Sequence, residues 1–293
     1  MFSTWVRFFV AWFVPSRNRL KNHRAKAASV VREVKKRNAR SAKEGEDDTD
    51  EESLLCWMLE NGSPEETTVT EMAKQQLIMT LAGVHTTSTN TSIFLFKLCE
   101  HPEWVSVFRQ EIEDVKRQTG DSSRTDIRHW HRQLERMDSF LLECFRVHPP
   151  IVLSPQRVAL QAFTLKDGTH IPKGCRIAFA NAEHQMDPEV TPDPHTFDPM
   201  RAYRRRHSAA DQYDRNQTVL TDLSNNLTFG YGNQACRGRF LGVAEIKMLL
   251  ARLIAELNFK YPEGKSMLVI MSADGNVFVD PTATLMMKRR RTL

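Results

Sequence analysis

One stretch of this chain combines residue types that can do chemistry: Phe229-Gly230-Tyr231-Gly232-Asn233-Gln234-Ala235-Cys236-Arg237-Gly238-Arg239-Phe240-Leu241-Gly242. It reads as a glycine-rich loop that holds one cysteine and runs into a helix from about Arg237. A cysteine just before a helix N-terminus faces unpaired backbone N–H groups and the positive end of the helix dipole. Both favour thiolate over thiol. Gly230, Gly232 and Gly238 let the backbone approach something flat and bulky without a Cβ in the way. A thiolate held open in this manner serves as a nucleophile or as a metal ligand. A nucleophile normally needs a nearby base, and no histidine flanks Cys236. The other cysteines, Cys56, Cys99, Cys144 and Cys175, are far apart, the total of 5 is odd, and no C-x-x-C pair occurs. That argues against a zinc ribbon or disulfide framework and for a reducing compartment. These four read as packed helix residues (Cys56, Cys99, Cys144) and a strand start (Cys175).

Two further constellations stand out. Ala82-Gly83-Val84-His85-Thr86-Thr87 opens a run of hydroxyl and amide residues that continues to Ser92. The run has poor helix propensity, yet it sits between apolar stretches of helical spacing. Local rules tend to fail at functional sites; hydroxyls back-bonding to the helix on a solvated face are the plain alternative. Glu143 and Arg146 lie at i, i+3 on one helix face and can pair. Taken alone, such a pair is an ordinary surface contact worth well under ~1 kcal/mol.

The elements that must position these residues are mostly helical. Thr68 and Glu71 have capping-box spacing, and apolar residues then run to Leu98, with Pro102 as the stop. About 30 residues of helix make a rod on the order of 45 Å, enough to cross a domain. Further helices are predicted at Val105–Gln118, Gln133–Val147 and Ala244–Leu257. Pro149-Pro150 ends the second of these. Val158–Leu165 is β-rich, Asp167-Gly168 signals a turn, and Arg176–Ala180 is the predicted return strand. Pro188, Pro192, Pro194 and Pro199 mark an irregular meander. Residues 203–220 read as a polar surface insertion, and Asp274-Gly275 as a second turn between short apolar runs.

The cysteine loop, F-G-x-G-x-x-x-C-x-G, resembles the haem-binding loop of the cytochrome P450 monooxygenases. Further matches follow in that family's order. Ala82 to Thr87 resembles its central long-helix motif. Glu143-Cys144-Phe145-Arg146 matches its E-x-x-R helix, followed by Pro149-Pro150. Phe197-Asp198-Pro199-Met200-Arg201 resembles its Phe-x-Pro-x-Arg segment, with His184, Asp187 and Pro188 upstream. The wording is nearest to fungal members working on terpenoids, alkaloids and other secondary metabolites. The resemblance implies a mainly α fold with small β-sheets, the C-terminal part of the cytochrome P450 fold. It also implies one partial P450 domain over 1–293: an aromatic and basic helical segment 1–43, an acidic linker 44–67 and a haem-binding core 68–293. The family's early part has no counterpart here, so the chain resembles an N-terminally truncated member.

The same resemblance assigns roles. Cys236 would be the axial thiolate ligand of haem b (iron protoporphyrin IX), with Phe229 packed beside the sulfur and Gly232 and Gly238 shaping the loop. Arg157 falls where a haem-propionate contact is usual, and Gln234 where His or Arg often binds a propionate; Gln donates a hydrogen bond without charge. Thr86, with Thr87 beside it, would lie over the distal face and handle protons near dioxygen. His85 replaces the commoner acid and can carry protons near neutral pH. Glu143, Arg146 and Arg201 would form a buried charge network supporting the cysteine loop. The reaction implied is insertion of one oxygen atom from O2 into a hydrophobic small molecule. Electrons would come from NADPH through a flavin reductase, NADPH–cytochrome P450 reductase, docking near Arg237 and Arg239. The alternatives are a truncated non-catalytic remnant or incomplete gene model, and a haem-binding sensor or isomerase-like member.

Composition sets the outer bounds. The chain has 293 residues, 41% of them hydrophobic and 26% charged, with a net charge of +5. That balance excludes wholesale disorder and low-complexity classes. Met1 to Pro15 is apolar and aromatic but too short to span a bilayer and lacks signal-peptide features. It reads as a packed helix or as a contact with a membrane surface. The family resemblance implies the endoplasmic reticulum membrane. The basic run Arg17–Lys43 has no interleaved aromatics and no zinc or helix-turn-helix pattern, so nucleic acid is not the expected partner.

Overall fold

The computed structural model describes residues 16–44, 53–119, 130–213, 215–222, 226–265, 270–273 and 275–290. The expectations for Met1–Pro15, for the acidic run after Glu44 and for Asp274 fall outside these residues. The chain divides into two compact units, Met1–His85 and Thr86–Leu293.

In the first unit, α1 (Ser16–Glu44) packs on α3 (Val69–Thr80). Val31, Met72 and Ala73 form its small core, flanked by Ala27, Ala28, Leu55, Met58 and Leu59. Lys35 Nζ donates to the Thr67 carbonyl at 2.6 Å. The stretch 44–67 is not all linker: it contains α2 (Leu54–Asn61), whose N-cap Ser53 accepts from the Cys56 N–H. The apolar sequence LLCWMLEN supplies the face that this helix packs. Thr68 caps α3 by accepting from the Glu71 N–H at 3.3 Å, while the Glu71 carboxylate pairs with Lys74 rather than closing the box. The unit ends in a π-helical turn, Leu81–His85.

The second unit starts with α4 (Thr86–Glu100), followed by α5 (Glu103–Thr119) and α6 (Glu135–Val147). With α9 (Arg239–Glu256), these helices form the main core. Phe94, Phe108 and Phe140 meet at its centre, ring centroids 4.5–5.7 Å apart. Met137, Phe140, Leu141, Cys144 and Phe145 form a helical stripe on α6, and all five are buried. The opposite face of α6 is buried too, but polar: Asp138, Ser139, Glu143 and Arg146. A helix buried all round with half its surface polar must find partners for every polar group.

Those partners come from other elements. The Glu111 carboxylate on α5 accepts from the backbone N–H groups of Arg136 and Met137, capping α6 from outside. Burial nevertheless raises its pKa above the usual carboxylate value. Asp138 accepts from Lys247 Nζ of α9 at 3.1 Å and from the Thr218 N–H at 3.0 Å. Ser139 Oγ donates to the Pro199 carbonyl and accepts from the Tyr203 N–H.

Among the described residues the strands form four two-stranded antiparallel sheets. β1 (Leu153–Val158) pairs with β4 (Arg176–Ala180), and β2 (Phe163–Thr164) with β3 (His170–Ile171). The predicted return strand is therefore real, but its partner is Leu153–Val158, which meets the predicted Val158–Leu165 only at Val158; the Asp167-Gly168 turn closes only the short β2–β3 pair. The remaining sheets pair β5 (Leu257–Lys260) with β8 (Met286–Arg289) and β6 (Ile270–Ala273) with β7 (Asn276–Val279). Short helices α7 (Asn181–Gln185) and α8 (Arg201–Arg206) flank the meander. Residues 203–220 are only partly a surface insertion: Ser208–Asp211 are exposed, but Arg206, Asn216 and Thr218 are buried, and Arg206 and Thr218 partner polar groups of α6.

His148, directly after α6, illustrates the cost of this packing. Burial, aided by the Lys97 cation, lowers its pKa from about 6.5 to about 4. The unfolded chain therefore takes up the proton first. Stability present at neutral pH is lost as pH falls from 6.5 through 4, by about 3 kcal/mol in all. Urea unfolding of His148→Gln at neutral pH and near pH 4 tests this: the variant should lack that acid-dependent loss, and an equal loss in both proteins would contradict it.

Candidate functional site

The cysteine loop is shaped by its backbone. Gly230 and Gly232 adopt φ of 73° and 66°, the left-handed region that L side chains avoid. They bracket a tight path into a single 3₁₀ turn, Gly232–Gln234. The turn brings the Cys236 N–H back to the Phe229 carbonyl at 2.8 Å. α9 starts at Arg239, two residues later than predicted, with Gly238 at its N-cap. Arg239 fixes the junction: its Nη1 donates to the Cys236 carbonyl at 2.9 Å and its Nε to the Val219 carbonyl at 3.0 Å.

The five thiols differ sharply in setting. Burial pushes Cys99 up to about 11 and Cys144 well above its usual value, so both are held as neutral thiols. Cys56 is shifted down, first by a hydrogen bond from Ser53 Oγ. Cys175 is half-buried just ahead of β4. Cys236 is the exposed thiol among them.

Arg157 of β1 reaches this loop, its Nη2 donating to the Tyr231 carbonyl at 3.4 Å. Gln234 and Gly232 lie exposed on the same turn. Phe229 turns inward and packs edge-on against Phe145 of α6, with centroids 5.7 Å apart. Its ring thus ties the loop to the helix.

Behind that contact lies the charge network. Arg146 meets Glu143 with two hydrogen bonds, Nε to Oε2 at 2.9 Å and Nη2 to Oε1 at 2.7 Å. This bidentate geometry is the strong form of the pair. Both side chains are at most 6% exposed. Arg201 Nε faces Glu143 Oε2 at 3.4 Å, an ion pair without hydrogen-bond alignment. The Asp198 N–H also donates to Glu143 Oε1. Arg146 and Arg201 spend their remaining donors on carbonyls of the meander, at Gln185, Pro192, Asp193, Pro194 and Thr196.

A second thread runs from α6 to the loop, and sequence reasoning missed it. Thr218 Oγ1 donates to the Asp138 carbonyl. Asn226 Nδ2 donates to the carbonyls of Thr218 and Leu220, and its Oδ1 accepts from the Thr228 N–H, one residue before Phe229. No local pattern marks Asp138, Lys247, Thr218 or Asn226, because the hydrogen bonds that link these four to one another span 8 to 109 residues.

The distal candidates divide by element. His85 closes the π turn, and Leu81–Thr86 is exposed throughout. Thr87 is buried, and its carbonyl accepts from Thr91 Oγ1 at 2.8 Å. Asn90 and Ser92 bond back to the carbonyls of Thr86 and Ser88 in the same way. The run is regular α-helix despite its poor propensity, and its side chains back-bond as the plain alternative expected; the irregularity is the π turn just before it, Leu81–His85. The face is only partly solvated, since Thr87, Asn90 and Thr91 are buried.

The donor set suits a haem. A soft sulfur stands exposed on a rigid loop. A Cβ added at Gly232, Gly238 or Gly242 would meet nothing within 4 Å, so no side chain among the described residues fills the space beside these backbones. Tyr231, Phe240 and Leu241 present exposed apolar surface from the loop and the first turn after it. Arg157 adds a cation for an acidic substituent.

Comparison with known proteins agrees. The family model described as Cytochrome P450 matches residues 1–289. The chain is 42% identical over 292 residues to cytochrome P450 monooxygenase ATR4 of Stachybotrys chlorohalonatus, covering 99% of this chain and 55% of that protein. It is 33% identical to cytochrome P450 monooxygenase sdnB of Sordaria araneosa, covering 99% and 54%. It is 35% identical to an ent-kaurene oxidase of Gibberella intermedia, covering 82% and 45%. The chain spans about half the length of the curated relatives it matches. With the cysteine loop, the buried E-x-x-R pair and the matched length agreeing, the chain belongs to the cytochrome P450 family.

Proposed function

We propose that this chain carries the haem-binding machinery of a monooxygenase that inserts one oxygen atom of O2 into a hydrophobic small molecule. The observation that carries the reading is the exposed Cys236 thiol on a loop anchored to α6 through Phe229. When bound, a haem supplies oxygen activation, and thiolate ligation favours O–O cleavage. Residues 68–293 would form the haem-binding core.

Cys236 would hold the iron, and the N–H and carbonyl contacts of the loop keep the sulfur in place. Arg157 and Gln234 would orient the propionates, one by charge and one by hydrogen bonding. Thr86 would hold or pass a proton at its hydroxyl and His85 at its imidazole, with Thr87 fixing the helix face beside them. Glu143, Arg146 and Arg201 act as positioning residues. The substrate would be a terpenoid or alkaloid of fungal secondary metabolism, and the relative named an ent-kaurene oxidase favours the terpenoid side.

Electrons would come from NADPH through a flavin reductase at the face near Cys236. Arg237 is the freer contact there, since Arg239 is engaged with Val219, Cys236 and the Phe240 ring. The endoplasmic reticulum membrane is the proposed location, with Met1–Pro15 as a surface contact. Among the described residues, no helix is long and apolar enough to cross a membrane. A second reading, haem binding without turnover, rests on the exposure of the whole Leu81–Thr86 segment, which leaves the proton-handling residues open to water.

The test is a reduced carbon monoxide difference spectrum of the chain expressed with a haem precursor. The proposal expects a Soret band at the thiolate-ligated position that disappears in Cys236→Ala and persists in Cys175→Ala. Absence of haem, or an unchanged band in Cys236→Ala, would contradict it. A normal band without NADPH-dependent oxygen consumption in the presence of a reductase would favour the second reading. Glu143→Gln leaves the buried Arg146 and the partly buried Arg201 without their carboxylate. It should cost about 3–5 kcal/mol in urea unfolding and lower haem content; a loss below about 1 kcal/mol would mean the pair is not a support.

A further inference from the structure

A small polar cavity of about 30 Å³ lies where α6, α7 and α8 meet. Among the described residues, its charged lining is uneven. The guanidinium groups of Arg146, Arg201 and Arg205 stand against the single carboxylate of Glu143. The other polar lining, Asn216 and Asn226 included, is neutral. Carbonyls of the meander accept from Arg146 and Arg201, which satisfies hydrogen bonds but supplies no countercharge. The remaining cations of α8 are matched: Arg204 pairs with Asp198, and Arg206 with Glu135. Arg201 and Arg205 sit at four-residue spacing on that helix, where like charges repel. Arg201 Nε is buried with no hydrogen-bond partner among the described residues, since Glu143 Oε2 at 3.4 Å lies out of alignment. Burial lowers the pKa of the half-buried Arg205, and the Arg201 and Arg146 cations act in the same direction, against Glu143.

We infer that this cavity binds a chloride-sized monovalent anion. The lining places three positive charges against one negative charge in a partly buried site, and charges taken out of water need charged partners. Water alone fills the volume and leaves that surplus uncompensated. The size fixes the class of ligand: the cavity admits one or two water-sized spheres, which suits a halide and excludes a bulkier tetrahedral oxyanion such as phosphate. Thr228 also lines the cavity, one residue ahead of Phe229. The anion therefore lies where α6, the meander and the approach to the cysteine loop converge. The inference goes beyond the haem reading and does not depend on it.

The experiment is urea unfolding of the full chain in sodium chloride and in sodium gluconate at equal ionic strength, since gluconate is too large for the cavity. The midpoint should be higher in chloride and rise with chloride concentration, as expected of a ligand that binds only the folded state. Bromide should replace chloride. Arg205→Gln removes one of the three cations and should raise the chloride Kd obtained from that titration by about tenfold or more. Arg205→Glu brings the countercharge on the chain itself, so its midpoint should be the same in both salts. The second variant keeps the test open if the first folds poorly. Equal midpoints for the unaltered chain in chloride and gluconate would overturn the inference in favour of water. A chloride effect of the same size in the unaltered chain and in both variants would overturn it too, by placing the anion elsewhere. Either result leaves the haem reading standing.

Discussion

A carboxylate taken out of water between two guanidinium groups governs the larger unit of this protein. Glu143 is 3% exposed, with Arg146 in bidentate contact and Arg201 at 3.4 Å. Such a pair gains little net energy over a well-packed apolar core, and breaking it is what costs. Its value here lies in the donors left over. The meander from Met186 to Met200 has no helix or strand to pair its carbonyls, and buried carbonyls must be paired. Arg146 and Arg201 supply that pairing from their side chains. The charge network therefore replaces a backbone ladder and fixes an irregular segment in one conformation.

The functional loop inherits this rigidity from α6. Phe145 lies between Glu143 and Arg146 in sequence and turns to the other side of the helix, where it meets Phe229. The Phe229 carbonyl then receives the Cys236 N–H. A parallel route runs from Asp138 through Thr218 and Asn226 to Thr228. The same helix thus reaches the cysteine loop by an apolar contact and by a polar chain. An exposed thiol in the proposed role of metal ligand gains from being set by two independent constraints.

Local signals made the helices legible. The stripe on α6, the proline stops and the cap at Thr68 all needed only neighbours in sequence. The cysteine loop was legible for the same reason, since its glycines and its cysteine sit within one turn of each other. The strand partner of Arg176–Ala180 was misplaced because a two-residue β2–β3 pair lies inside the larger hairpin and carries the visible turn. Residues 203–220 looked like a solvated insertion because they are polar; Arg206 and Thr218 among them are buried because α6 presents polar groups that need them. No window of sequence contains both halves of that match. The π turn at Leu81–His85 was not legible, because the run that reads as a poor helix, Thr86–Ser92, folds as regular helix immediately after it.

The central claim is that the charge network on α6 sets the cysteine loop, rather than merely stabilising the unit. Native-state hydrogen exchange on Glu143→Gln tests it directly, by comparing the Cys236 amide with amides of α5 such as Phe108 and Ile112. The account predicts that Cys236 loses protection by a larger factor than α5, because its hydrogen bond to Phe229 depends on α6 holding that ring. Equal loss at all sites, or a Cys236 amide as protected as in the unaltered chain, would contradict it.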